Sequence, residues 1–161
     1  MVEEKELTVK EVMVKNVVTA KSGQTVKEAA KIMSLYEIGS LVVLEDSKVV
    51  GILTERDLLN RVIAEGHNPA KIVVSEVMSH PPIEVKPDTK LEEALQLMFD
   101  NKIKKLIVIE DNGRKKLVGI VTLTDIARFQ PTMIKILRTL FDKKGEEPPK
   151  HMEKVMNFYI V

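Results

Sequence analysis

Gly51-Ile52-Leu53-Thr54-Glu55-Arg56-Asp57-Leu58 returns later in the chain as Gly119-Ile120-Val121-Thr122-Leu123-Thr124-Asp125-Ile126, a shift of 68 residues. Self-similarity of this kind decides the fold, because a repeat read as unique sequence yields the wrong architecture. Upstream the register is 65: Met13 slides onto Met78, and Glu28, Ala29, Met33, Ile38 and Leu41 fall on Glu93, Ala94, Met98, Ile103 and Leu106 without a gap. The difference between 68 and 65 is 3, and it is taken up by the longer turn Asn112-Gly113-Arg114-Lys115-Lys116, where an insertion is tolerated. The chain is two copies of one unit.

Within the first copy, Val26, Ala29, Ala30, Met33 and Tyr36 recur at helical spacing behind Thr25, which predicts a helix from about Val26 to Tyr36, with Gly39 after its end. Ser40 to Leu44 and Val49 to Leu53 are short apolar runs separated by Asp46-Ser47, the pattern of a buried hairpin. Thr54 opens a second helix that places Leu58, Leu59, Val62 and Ile63 on one side and ends at a C-cap position held by Gly66. A short strand near Val17 to Ala20 precedes these elements. The second copy repeats the order: strand near Ile83 to Val85, helix Leu91 to about Asn101, strands Leu106 to Ile109 and Leu117 to Val121, helix from Thr124. Each unit reads strand, helix, strand, strand, helix, an α/β class. The expected domains are residues 8–66 and 76–130, joined by a linker at 67–75 that His67-Asn68-Pro69 begins, with a C-terminal extension at 131–161. That extension contains an amphipathic helix through Met133, Ile136, Leu137 and Leu140, a loop Lys144 to Pro149, and the tail Phe158-Tyr159-Ile160-Val161, expected as an apolar terminal strand.

Composition narrows the chemistry. The 161 residues are 44% hydrophobic, enough for a packed core, and contain no cysteine, so disulfides, thiolate metal sites and cysteine nucleophiles are excluded. The N-terminus is acidic (Glu3, Glu4, Glu6), and no run approaches the roughly 20 apolar residues of a membrane span. A cytoplasmic protein, neither secreted nor membrane-inserted, is expected. The net charge of +1 hides an asymmetry: residues 102–150 carry 12 Lys/Arg and 6 Asp/Glu, and the remainder 13 and 18. A nucleic acid docking on the basic segment is therefore the rival functional reading. His67, His80 and His151 share no metal-ligand spacing, no Gly-x-x-x-x-Gly-Lys loop is present, and no nucleophile, base and orienter can be assembled. Neither a metal, a required cofactor nor catalysis is expected.

The repeated Gly-x-x-Thr-x-x-Asp carries two readings. Thr54 ends a strand and begins a helix, so its hydroxyl and the first backbone N–H groups would face a phosphate, while Asp57 could accept hydrogen bonds from two ribose hydroxyls. Thr122 and Asp125 would do the same in the second copy. The same spacing makes an N-terminal capping box, in which both side chains satisfy backbone donors. Gly39-Ser40 would let a base or ribose approach the backbone, or form a simple tight turn.

The unit resembles the cystathionine β-synthase (CBS) domain over about Thr8 to Phe129. The resemblance rests on Val12-Met13, the Glu28-Ala29-Ala30 helix, Ile38-Gly39-Ser40-Leu41-Val42-Val43 and Gly51 to Asp57, with their second-copy partners. It implies a tandem pair of pseudo-twofold symmetry that binds an adenosine compound (AMP, ADP, ATP or S-adenosylmethionine) and acts as a sensor or regulatory module for an effector protein. By resemblance to kinase gamma subunits, Lys104 and Lys105, standing where the first copy has Gly39 and Ser40, become candidate phosphate contacts, with Arg56 and Arg128 behind them. Family structures place the adenine against the first strand of each unit, here Val17-Val18-Thr19 and Pro82-Ile83-Glu84. Family pairs often associate through their helices, so a homodimer is expected.

Overall fold

A computed structural model describes residues 5–159. The elements, in order, are α1 (Val9–Val12), β1 (Thr19–Lys21), α2 (Val26–Tyr36), β2 (Ser40–Glu45), β3 (Lys48–Thr54), α3 (Glu55–Leu58) and α4 (Val74–Val77). They are followed by β4 (Glu84–Val85), α5 (Leu91–Asn101), β5 (Lys105–Asp111), β6 (Lys115–Thr122), α6 (Leu123–Phe129), α7 (Thr132–Lys144) and α8 (Lys150–Tyr159). The described residues divide into two compact units, one of residues 16–83 and one formed by residues 5–15 together with 84–159.

In the unit of residues 16–83, β1 pairs in parallel with β2, and β2 antiparallel with β3. The parallel pair requires a crossover, which α2 supplies. Thr25 caps α2 by accepting the Glu28 N–H at 3.2 Å, and Ala29 and Met33 turn inward onto Leu41, Val43 and Leu53. Asp46 and Ser47, both at positive φ (48° and 65°), close the β2–β3 hairpin in the conformation that a two-residue hairpin loop demands. The other unit is built alike: β4 parallel to β5, β5 antiparallel to β6, and α5 as crossover. Both hairpins slip register at matching places, Val43/Leu44 and Val108/Ile109.

The units do not follow the sequence repeats. The segment that leads into the second copy, Val74 to Ser79, lies in the first unit: Ser79 exchanges backbone hydrogen bonds with Ile52 at 2.9 and 3.0 Å. The segment that leads into the first copy, Thr8 to Val14, lies in the other unit, where Val14 pairs with Ile120 at 2.9 and 3.0 Å. The repeated glycines explain themselves here. A Cβ on Gly51 would stand 2.7 Å from Met78 Sδ and 2.8 Å from the Ser79 carbonyl oxygen; one on Gly119 would stand 2.6 Å from Met13 Sδ and 3.0 Å from the Val14 oxygen. The Val-Met pair and the glycine of the motif are the two sides of one close packing contact.

Helix α2 ends at Tyr36 and α5 at Asn101, as expected, and the left-handed residue that follows is Glu37 (φ 53°) in the one and Lys102 (φ 52°) in the other. In each case the next two N–H groups return to the last helical turn, Glu37 to Ser34 and Ile38 to Met33, Lys102 to Phe99 and Ile103 to Met98. The helix after Thr54 widens into a π-turn over Leu59–Ile63 before closing at Gly66 (φ 71°). The tail expected as a strand is helical: α8 runs to Tyr159 and buries Met152 and Met156, while Ile160 and Val161 lie outside the described residues.

The helix faces of the two units differ. α5 is covered by α7, with Phe99 and Phe141 meeting edge to face at 4.7 Å between ring centres and Leu95, Ile126, Ile134 and Leu137 fully buried. α2 has no such cover in its own unit: Leu35 is 77% and Ile63 71% exposed, and Tyr36 and Leu59 are exposed as well.

Candidate functional site

Each motif begins where the last strand of a hairpin becomes a helix. In the first, the Thr54 N–H donates to Asp57 Oδ2 at 2.9 Å and the Asp57 N–H donates to Thr54 Oγ1 at 3.2 Å. In the second, Thr122 N–H donates to Asp125 Oδ2 at 2.9 Å, Asp125 N–H to Thr122 Oγ1 at 3.1 Å, and the Thr122 hydroxyl itself to Oδ2 at 2.8 Å. Both are capping boxes. The threonine hydroxyls are turned back onto their own helices rather than outward. The first helical N–H groups are also partly consumed, since Glu55 donates to the Gly39 carbonyl at 3.0 Å and Leu123 to that of Lys104 at 2.8 Å.

Capping uses only one carboxylate oxygen, so it does not exhaust either aspartate. The second oxygen separates the two motifs. Asp57, 6% exposed, accepts the Ser79 hydroxyl on Oδ1 at 2.9 Å, with Arg61 Nη1 at 3.7 Å from the same oxygen. Asp125 is half-buried, and among the described residues its Oδ1 has no hydrogen-bond partner. Oδ1 of Asp125 is thus an acceptor held in place by the cap and open to a donor.

The neighbouring candidates group around these motifs within their units. Ser40 lies opposite Thr54 and Lys105 opposite Thr122 in the strand registers, which sets Gly39 and Lys104 beside the first helical residues. The Glu55 side chain stands beside Gly39, its Cδ and Oε2 3.3 Å from where a Cβ on that glycine would sit. Arg56 and Arg128 are both exposed. Val18 packs on the core of its unit, and Thr19 lies next to Val42 in β1. Glu84 pairs with Ile107 and accepts a hydrogen bond from Lys115 Nζ at 3.3 Å. Ile83, of the other unit, is half-buried. A shallow groove of about 430 Å³ between α2 and α3 is lined by Met33, Ser34, Glu37, Ile38 and Glu55 among others, and does not reach Asp57. No group of three or more histidine or acidic side chains could hold a metal among the described residues, and no helix there is long and apolar enough to cross a membrane.

Four residues bearing on the site carried no signal in the motif itself: Ser79, Arg61, Val14 and Phe129. Arg61 Nη1 donates to the carbonyls of Val77 and Met78, each at 2.9 Å, and so fastens the C-terminal end of α4 beside Asp57. Comparing the copies where they disagree would have found them, because Val14 replaces Ser79 and Phe129 replaces Arg61 at equivalent positions.

Comparison with known proteins agrees with this geometry. The family model described as CBS domain matches twice, over residues 9–64 and 74–131. An uncharacterized protein of Methanopyrus kandleri is 37% identical over 142 residues, 88% of this chain and 71% of that protein. The CBS domain pair of protein MJ0100, solved in complex with 5-methylthioadenosine and S-adenosyl-L-methionine, superposes with a TM-score of 0.70 at 29% identity, covering 79% of this chain and 98% of that one. A hexameric CBS-CP12 protein from bloom-forming cyanobacteria superposes with a TM-score of 0.72 at 30% identity, covering 82% and 76%. With the family model matched by both repeats, this chain belongs to the CBS domain family as a tandem pair.

Proposed function

We propose that the chain is a regulatory module that binds an adenosine ligand (AMP, ADP, ATP or S-adenosylmethionine) at the Thr122–Asp125 motif and passes occupancy to an effector as a change in shape or affinity. The observation that carries this reading is Oδ1 of Asp125, a carboxylate acceptor fixed by its own cap and without a hydrogen-bond partner among the described residues. A ribose offers two adjacent hydroxyl donors, and bonds from such donors to a carboxylate are the stronger, charge-assisted kind. The adenosine moiety shared by both ligands of the similar pair supports the ligand class. Lys104 and Lys105, beside Leu123 and Thr122, would meet the phosphates of a nucleotide. On this reading the domains are residues 8–66 and 76–130, the protein is a cytoplasmic sensor rather than a catalyst, and two chains pair through the bare face of α2 and its neighbouring π-turn.

Nucleic acid binding gains no support. Lys102, Lys115, Arg138, Lys144 and Lys150 of the basic segment are each within ion-pair distance of a carboxylate. The test is a thermal-shift screen against AMP, ADP, ATP, S-adenosylmethionine and adenosine, followed by calorimetry with Asp125→Ala. A ligand at 100 times its Kd stabilises the native state by about 2.7 kcal/mol. Losing hydrogen bonds to a charged group, about 1.5–3 kcal/mol, should weaken binding roughly 10- to 150-fold in the variant. No shift with any of the five compounds would end the adenosine reading.

A further inference from the structure

We infer that this chain takes one adenosine ligand, not two, and that Ser79 is the residue that closes the first motif to it; the inference rests on the adenosine reading above. A ribose bound to Asp57 would have to donate to Oδ1, since Oδ2 is committed to the Thr54 N–H. The Ser79 hydroxyl already donates there, at 2.9 Å, in the place a ribose hydroxyl would occupy. Displacing it would break a charge-assisted bond to a buried carboxylate and leave the serine hydroxyl without that acceptor, both unfavourable. The serine's backbone is held in place, so only a χ1 rotation that gives up the carboxylate could take the hydroxyl away. Its backbone is stitched to Ile52 by two hydrogen bonds, and Arg61 grips the carbonyls of Val77 and Met78 immediately before it.

At the second motif the same scaffold carries different side chains. Val14 holds the position of Ser79, its backbone paired to Ile120 as Ser79 is to Ile52, and valine has no donor to offer. Phe129 replaces Arg61, four residues after Asp125 on the same helix face. Val14 is 46% and Phe129 53% exposed, so the free Oδ1 of Asp125 is accompanied by apolar surface instead of a competing hydroxyl and a guanidinium. A carboxylate acceptor beside apolar surface suits a nucleoside, which presents hydroxyls and a flat base together.

The test is calorimetric stoichiometry on the full chain, titrated in parallel with AMP, ATP and S-adenosylmethionine. Wild type should bind one equivalent, and Asp125→Ala should weaken the whole signal rather than remove half of it. Reciprocal exchanges then move the lock. Val14→Ser, at an exposed position, should weaken binding tenfold or more by placing a hydroxyl on Asp125, and Ser79→Val should raise the stoichiometry toward two. Two equivalents on wild type, or Val14→Ser binding as wild type does, would overturn the inference while leaving the adenosine reading intact. Ser79→Val that melts normally yet still binds one equivalent would overturn the assignment to Ser79. Absence of binding by wild type and by Ser79→Val alike would remove the adenosine reading and this inference with it.

Discussion

Replacing Gly51 by alanine should destabilise the protein through a single close contact. The added methyl would stand 2.7 Å from Met78 Sδ and 2.8 Å from the Ser79 carbonyl oxygen. The thioether can rotate away, but the carbonyl is backbone and accepts the Ile52 N–H at 3.0 Å. Moving that oxygen from 2.8 Å out to the 3.4 Å where ordinary contact begins asks the strand pair to separate by about 0.6 Å. Overpacking of this kind costs about 1–3 kcal/mol. For a chain of this size that corresponds to a melting temperature lower by roughly 2–12 °C. The Ser79 to Asp57 hydrogen bond hangs from the same displaced backbone, so amide exchange at Ile52 and Ser79 should accelerate together. Gly119→Ala should cost less, its nearest backbone atom being the Val14 oxygen at 3.0 Å. Gly23→Ala is the control: nothing lies within 4 Å of its added Cβ and its φ is not positive, so a change within about 0.5 kcal/mol is expected. Equal melting temperatures for Gly51→Ala and Gly23→Ala would refute the packing argument.

Lys104→Ala combined with Lys105→Ala should weaken AMP, ADP or ATP at least tenfold while leaving adenosine within about twofold, because only phosphate needs the ammonium charges; equal losses in calorimetry would remove them as phosphate contacts. Leu35→Asp with Ile63→Asp should convert a dimer to monomer without lowering the melting temperature, both side chains being more than two-thirds exposed; light scattering that finds wild type monomeric at high micromolar concentration would sink the dimer. Glu37→Gly should stabilise by about 0.5–1 kcal/mol, since a non-glycine residue at φ 53° carries left-handed strain that outweighs the added freedom of the unfolded chain. A lowered midpoint in thermal denaturation would contradict that balance.

Much of the fold was legible because the two copies corroborate each other. The bounds of α2 and the Asp46-Ser47 turn follow from periodicity and turn chemistry that act locally. What escaped was non-local. Self-similarity is unchanged by which copy's Val-Met segment packs on which glycine, so the exchange of lead-in segments between the sequence repeats leaves no trace in a repeat analysis. The left-handed conformation of Glu37 and Lys102, just past the expected helix ends, carried no glycine signal, because the return of the Ile38 and Ile103 N–H groups to the last turn accompanies it without one. The tail has apolar residues at both strand and helix spacing, and burial of Met152 and Met156, four apart, decides for helix. At the site, the motif located both aspartates and left their roles balanced between cap and ligand. The second oxygen distinguishes them: at Asp57 it accepts the Ser79 hydroxyl, from a residue distant in sequence from the motif, and on the proposed reading the Asp125 counterpart is left for a ligand.

The exchanged segments also order events during synthesis. Residues 16–83 form a contiguous unit whose widest strand bridge, Thr25 to Val73, spans 73 − 25 = 48 residues, so this half can close while the rest of the chain is still being made. The other unit must wait. Thr8 finds Lys90 earlier, but Val14 meets Ile120 across 120 − 14 = 106 residues and stays without that partner until β6 emerges. Closing the longer loop costs more entropy and slows the step that depends on it. The half that carries Asp125 is therefore the later to assemble, and a newly made chain acquires its sealed Asp57 motif before its open one.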